Sequence, residues 1–175
     1  MIISDLEING VKLIEMQPYI DKRGSFMRQF CENELKNAGI EFNIKQCNIS
    51  TNNVAGTIRG MHYQLGEYPE NKIVTCIRGK IYDVLVDIRK DSSTYMKWIG
   101  IELTDENHRI LYIPAGIAHG FCTLEDNSSV YYQLDEFFHN ECYNGIRWND
   151  PKIGIKWPKF DKYIINDRDQ SYKLI

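Results

Sequence analysis

No two cysteines in this chain are spaced as CxxC. The five present (Cys31, Cys47, Cys76, Cys122 and Cys142) are an odd number scattered over 175 residues. Structural zinc needs closely spaced Cys/His pairs, so none is expected, and unpaired thiols suit a reducing, cytoplasmic setting. No run approaches the ~20 apolar residues of a membrane span. Met1-Ile2-Ile3-Ser4-Asp5 lacks the basic start of a signal peptide. No long basic run appears and the net charge is -3, which argues against a nucleic-acid partner. GxGxxG, P-loop and GxSxG motifs are missing, which removes a dinucleotide fold and a serine hydrolase. Internal repeats, low-complexity stretches and linkers are absent as well.

What is present is an ordinary globular balance, 43% apolar and 26% charged, and a length that suits one domain over residues 1–175. From residue 45 to 135 short β-branched and aromatic runs alternate with turn signals every eight to twelve residues, as in a sandwich or barrel. Ile73–Ile77 and Ile81–Ile88 read as two strands joined by a tight turn at Arg78-Gly79-Lys80. Within the second, Asp83, Leu85 and Asp87 share one face, and Tyr82, Val84, Val86 and Ile88 the other. Trp98–Leu103, Ile110–Ile113, Gly120–Leu124 and Val130–Leu134 are further strands. Glu32–Ala38, ended by Gly39, is the one good helix near the front, and the tail beyond Trp157-Pro158 holds at most one more. The expectation is all-β, a jelly roll with short flanking helices.

The chemistry-bearing residues lie in that strand-rich region. His62 follows Arg59-Gly60 and precedes Gln64, so side chains 60, 62 and 64 share a face. Arg59 joins them only if the strand bends at Gly60. A neutral His needs an orienting acceptor to act as a base. His119 lies in Pro114-x-Gly116-x-x-His119, which is similar to the second half of a cupin metal motif. The first half, His62-Tyr63-Gln64 with Glu67 misplaced, makes a weak divalent site. Lys72, at a strand start, could meet a developing enolate or a phosphate. Of the adjacent Tyr131 and Tyr132, one points in and one out. From pattern alone, Asp169 in Asn166-Asp167-Arg168-Asp169 is a solvated loop charge.

Taken together, Asp21-x-Arg23-Gly24-x-Phe26, Gln46-x-Asn48-x-Ser50, Arg59-Gly60-x-His62-x-Gln64, Lys72, Val86-Asp87-Ile88-Arg89, Ile113-Pro114-x-Gly116-x-x-His119-Gly120-Phe121, Tyr132 and Gly145-Ile146-x-Trp148-x-Asp150-Pro151 resemble the dTDP-4-dehydrorhamnose 3,5-epimerase family. These are cupins that epimerise nucleotide-activated 4-keto sugars without cofactor or metal. The resemblance runs from about Asp21 to Asp169. It implies a cupin jelly roll (a double-stranded β-helix) forming a homodimer, with the N-terminal region of one chain reaching the neighbour's site. It implies that His62 is the base, Asp169 its carboxylate partner, Lys72 the enolate-stabilising cation and Tyr132 the acid on the opposite sugar face. Arg23, Gln46, Asn48 and Arg59 would hold diphosphate and sugar, and His119 would line the pocket.

One stretch departs from the family pattern, which reads Arg-Gly-Phe-Phe-x-Glu. Here it is Arg23-Gly24-Ser25-Phe26-Met27-Arg28. Arg28 donates where the usual Glu accepts, which leans the nucleotide away from thymidine and towards guanosine, as in relatives acting on GDP-linked 4-keto-6-deoxy-heptoses for capsules. Phe26 and Arg28 are then the candidate nucleotide contacts. Rival readings are a sugar-nucleotide 3,4-ketoisomerase, a metal-dependent cupin using His62 and His119, and a non-catalytic sugar-binding cupin.

Overall fold

The computed structural model describes all 175 residues. The elements in chain order are β1 (Ile2–Asp5), β2 (Lys12–Glu15), β3 (Tyr19–Asp21), β4 (Gly24–Phe26), α1 (Glu32–Asn37), β5 (Gln46–Asn52), β6 (Ile58–Gln64), β7 (Lys72–Arg78), β8 (Lys80–Asp87), β9 (Trp98–Thr104), β10 (Arg109–Ile113), β11 (Ile117–Thr123), β12 (Ser128–Leu134), β13 (Tyr143–Gly145) and α2 (Asp167–Ser171). They form a six-stranded sheet, β1-β2-β10-β7-β12-β5, a five-stranded sheet, β13-β6-β11-β8-β9, and the small β3-β4 hairpin. The expected all-β jelly roll with short helices is what the chain adopts.

Period two builds the layers. On β7, Val74 and Cys76 point between the sheets and Ile73 points out. On β8, Ile81 and Leu85 point in. With Leu111, Ile117, Phe121 and Val130 they fill one end of the space between the sheets. Val84 and Val86 face the other way and pack with Met61 and Ala118 under Ile146 and Ile153 of the C-terminal segment. α1 turns Leu35 onto Ile14, Ile73 and Ile110 on the outer face of the larger sheet. Fully burying one such Leu stabilises the fold by about 1.5–3 kcal/mol. Gly39, at φ +76°, ends the helix as expected.

Two expectations are corrected. Arg78-Gly79-Lys80 does not close a hairpin: β7 belongs to the larger sheet and β8 to the smaller. Gly79 (φ +72°) packs on Ser128, with Ser128 Oγ 2.7 Å from where a Cβ would stand, and carries the chain from one sheet to the other. Secondly, strands begin well before residue 45. β1 and β2 extend the larger sheet, where β2 pairs with β10. The five cysteines are free, with Cys76 and Cys122 buried and Cys47 exposed. No helix is long and apolar enough to cross a membrane.

Candidate active site

One end of the space between the sheets is left open as a cavity of about 410 Å³. The inward rows of three paired strands line one wall. In the ladders Tyr132 pairs with both Asn48 and Val74, and Leu134 with both Gln46 and Lys72. Gln46, Asn48, Lys72, Tyr132 and Leu134 all reach the cavity. Tyr132 and not Tyr131 is the inward member of the pair and packs against the core.

The opposite wall depends on an irregularity. β11 pairs His119 with His62 but Phe121 with Arg59, so three steps on β6 match two on β11. This bulge inserts the extra residue that brings Arg59 and His62 to the same cavity, the bend expected at Gly60. Only glycine fits there: a Cβ on Gly60 would stand 2.5 Å from Gly120 Cα, and its φ is +134°.

His62 Nε2 lies 2.7 Å from Asp169 Oδ1. Asp169 is not the solvated charge that its local sequence suggests; it is buried. Asn166 caps α2 by accepting from the Asp169 N–H at 2.7 Å. That turns Asp169 inward, where its Oδ2 also accepts from the Gly60 N–H at 2.9 Å. The carboxylate therefore orients the imidazole and ties the bulge at once. A second such pair lies deeper, with His119 Nε2 2.7 Å from Asp83 Oδ2. Burial raises the Asp83 carboxyl and His119 opposes the rise. The His119 ring meets Tyr132 edge-on at 6.0 Å. Burial first, and the Asp83 charge second, push the Tyr132 hydroxyl far above the usual tyrosine range, so it is held protonated. Lys72 and Glu70 are both buried and pair at 2.5 Å.

Eight expected residues thus converge: Gln46, Asn48, Arg59, His62, Lys72, His119, Tyr132 and Asp169. Arg23, Phe26 and Arg28 do not. Arg23 pairs with Asp21 on the exposed β3-β4 hairpin, Phe26 is exposed, and Arg28 Nη1 donates to Glu34 Oε1 at 2.8 Å. Gln64, weighed above as a metal ligand, turns away. Its amide donates to the Tyr68 and Phe137 carbonyls and accepts from the His139 N–H. Both site histidines direct Nε2 at carboxylates, and no three His, Cys, Asp or Glu side chains converge as a ligand set.

Several lining residues lack any strong sequence signal. Phe138 and Tyr143 meet edge-to-face at 5.2 Å, Tyr143 leans on His62 at 5.4 Å, and Arg168 covers the Tyr143 ring at 4.7 Å. Glu70 lies just before β7, outside any strand, so no strand period points to it, and only the fold brings it beside Lys72.

A jelly roll with a carboxylate-held histidine, a partly buried tyrosine held protonated and a lysine around one cavity defines a cupin of the sugar-epimerase kind. The dTDP-4-dehydrorhamnose 3,5-epimerase family description matches residues 5–175, and the chain belongs to that family. A dTDP-4-dehydrorhamnose 3,5-epimerase of Methanothermobacter thermautotrophicus is 45% identical over 168 residues, covering 95% of this chain and 90% of the relative. The crystal structure of the Bacillus anthracis enzyme with TDP and PPi bound superposes with a TM-score of 0.95 at 37% identity, covering 99% of this chain and 98% of that one. The Legionella pneumophila enzyme in complex with dTDP-4-keto-L-rhamnose gives 0.93 at 34% identity, over 98% of this chain and 91% of that one.

Proposed function

We propose that this enzyme inverts C3 and C5 of a dTDP-linked 4-keto-6-deoxy sugar through enolate intermediates, without a cofactor. The observation that carries this reading is the placement of His62, held by Asp169, on the smaller sheet and of Tyr132 on the larger, with Lys72 on the same wall as Tyr132 in one shared cavity.

A ketone acidifies the adjacent C–H, but not enough for a free imidazole at neutral pH. Two features of the site lower that barrier. Asp169 holds the His62 ring in one orientation and stabilises the imidazolium that forms when the ring takes the carbon-bound proton. Lys72 presents a fixed cation to the C4 oxygen as negative charge develops there, in a cavity from which substrate expels water. The Tyr132 hydroxyl, kept protonated by burial, then returns a proton to the opposite face of the planar carbon. Base and acid on opposing walls are what inversion requires. Arg59 suits the diphosphate, Gln46 and Asn48 suit the sugar hydroxyls, and His119 lines the floor against Tyr132.

Arg23, Phe26 and Arg28 enter this reading through a second copy of the chain. They lie on or beside an exposed hairpin that presents Tyr19, Ile20 and Phe26 to solvent. In a homodimer that hairpin would reach the neighbour's cavity mouth and deliver Arg23 to the diphosphate. The relatives' names favour thymidine. Arg28 is the one observation that favours guanosine, as in GDP-4-keto-6-deoxy-heptoses.

The test is incubation in D₂O with dTDP-4-keto-6-deoxyglucose and, separately, with GDP-4-keto-6-deoxy-heptose, read by NMR and mass spectrometry. Deuterium at C3 and C5 of the dTDP sugar above the spontaneous rate is the expected result. Label at C3 alone would make the enzyme a 3-epimerase, and faster labelling of the GDP sugar would reassign the nucleotide. A 3-keto product would replace this reading with a ketoisomerase, and no label in either sugar would overturn it.

A further inference from the structure

Glu70 has no part in the chemistry above, yet it lines the cavity and is only 7% exposed. Its Oε1 meets Lys72 Nζ at 2.5 Å and its other oxygen has no partner in the chain. Taking two charges out of water costs several kcal/mol per ion, and a buried pair often does no better than apolar residues of the same size. Stability alone is therefore a poor reason for this pair.

The backbone holds both side chains in place. Asn71, between them, donates through its backbone N–H and its Nδ2 to the two oxygens of Asp135 at 2.8 and 2.5 Å. Its Oδ1 accepts from the Ala115 N–H at 2.8 Å. The Glu70 N–H donates to the Gln64 carbonyl, and Lys72 opens the β7 ladder opposite Ile113 and Leu134. With residue 71 pinned, side chains 70 and 72 project side by side into the cavity.

The pair thus offers a donor-only ammonium beside an acceptor-only carboxylate, about one hydrogen bond apart. Its chemical complement is a carbonyl beside a hydroxyl. In a 4-keto sugar with a C3 hydroxyl, O4 and O3 are neighbours. When the C3 proton leaves, C3, C4 and both oxygens become coplanar in an enediolate. We propose that Glu70 is a specificity-determining residue that accepts a hydrogen bond from the sugar hydroxyl next to the ketone while Lys72 donates to the ketone oxygen. The inference rests on the epimerase reading, in which Lys72 faces O4. It restricts the substrate class to 3-hydroxy-4-keto sugars. No electron or proton transfer to Glu70 is required, because the hydroxyl keeps its proton.

The test compares dTDP-4-keto-6-deoxyglucose with its 3-deoxy analogue, following deuterium entry at C5, a carbon that both retain. Wild-type enzyme is expected to label the analogue roughly 10- to 100-fold less efficiently in kcat/KM, the usual worth of a hydrogen bond to a charged group. In Glu70→Ala that preference shrinks to within about threefold, because the partner of the hydroxyl is gone. A structural role in holding Lys72 would slow both substrates alike and leave the ratio at its wild-type value, which overturns the inference. So does a wild-type enzyme that treats the two sugars equally. TDP binding by calorimetry checks that the variant folds. If Glu70→Ala fails that check, Glu70→Leu, which fills the space and offers no acceptor, decides by the same ratio. Wild-type enzyme that labels neither sugar defeats the epimerase reading itself, and the inference with it.

Discussion

Asp169 and His62 are 107 residues apart in the chain and 2.7 Å apart in space. One carboxylate oxygen holds the imidazole and the other holds the Gly60 N–H of the bulge that aims the imidazole into the cavity. Orientation of the imidazole, the base of the proposed reaction, and the shape of its strand therefore depend on one side chain. Asp169→Asn keeps the size and loses the charge, so the imidazolium formed on proton abstraction is no longer stabilised. Deuterium entry at C3 and C5 should fall roughly 100- to 10,000-fold, with TDP affinity within a few-fold of wild type. Loss of TDP binding in step with activity would show that Asp169 only maintains the fold.

In the proposed mechanism, with Tyr132 as the acid, Tyr132→Phe separates the two half-reactions. The ring stays to pack against His119, but no acid remains on the far face. His62 can still take the carbon-bound proton, exchange it with solvent and return it to the face it came from. The variant should incorporate deuterium without inverting the carbon, seen by NMR as labelled sugar of unchanged configuration. Inversion at the wild-type rate would mean that another group delivers the proton.

How much of this was legible beforehand differs from element to element, for physical reasons. β7 and β8 are readable because β-branched and other apolar side chains run almost unbroken through them, buried on both faces. Their assignment to different sheets is not readable, because Gly79 serves a hairpin and a sheet-to-sheet crossing equally well. β1, β2 and β13 are three or four residues long, too short for a period to register. His62, Lys72 and Tyr132 carry their own local patterns. Asp169 does not, since Asn166-Asp167-Arg168-Asp169 is polar throughout and its inward turn is set by a cap and a partner far away in sequence. The resemblance of motifs supplied that pairing. It likewise supplied Arg23, Phe26 and Arg28, which the fold of one chain leaves outside its own cavity.

The bulge makes its own prediction. A methyl group on Gly60 would meet backbone of the neighbouring strand at 2.5 and 2.9 Å, atoms that cannot step aside as a flexible side chain would. Its φ is also one that L residues rarely adopt. Gly60→Ala should cost roughly 2–4 kcal/mol of stability, measured by urea unfolding. Activity should fall further than the folded fraction accounts for, because Arg59 and His62 share the cavity only through this bulge. Wild-type stability would show that the strand can reroute.

Acid stability turns on a different carboxylate. Asp87 is fully buried on β8 and accepts from Arg89 through backbone N–H, Nε and Nη2, and from the Ser92 and Thr94 hydroxyls. Burial alone would raise its pKa, but these donors outweigh it and hold the carboxyl well below the ordinary range. A depressed folded-state pKa means that the folded protein binds the proton less readily than the unfolded chain does. The resulting stabilisation is complete above the unfolded value, near 3.9, and drains away as the pH drops from there towards the folded value. Asp87→Asn removes the charge and leaves Arg89 without its partner. It should cost about 3–5 kcal/mol at pH 7. The gap between wild type and variant should narrow steadily below about pH 4, as chemical unfolding at a series of pH values would show. A gap unchanged from pH 7 to pH 2.5 would mean that the Asp87 charge contributes nothing and that the variant fails through packing alone.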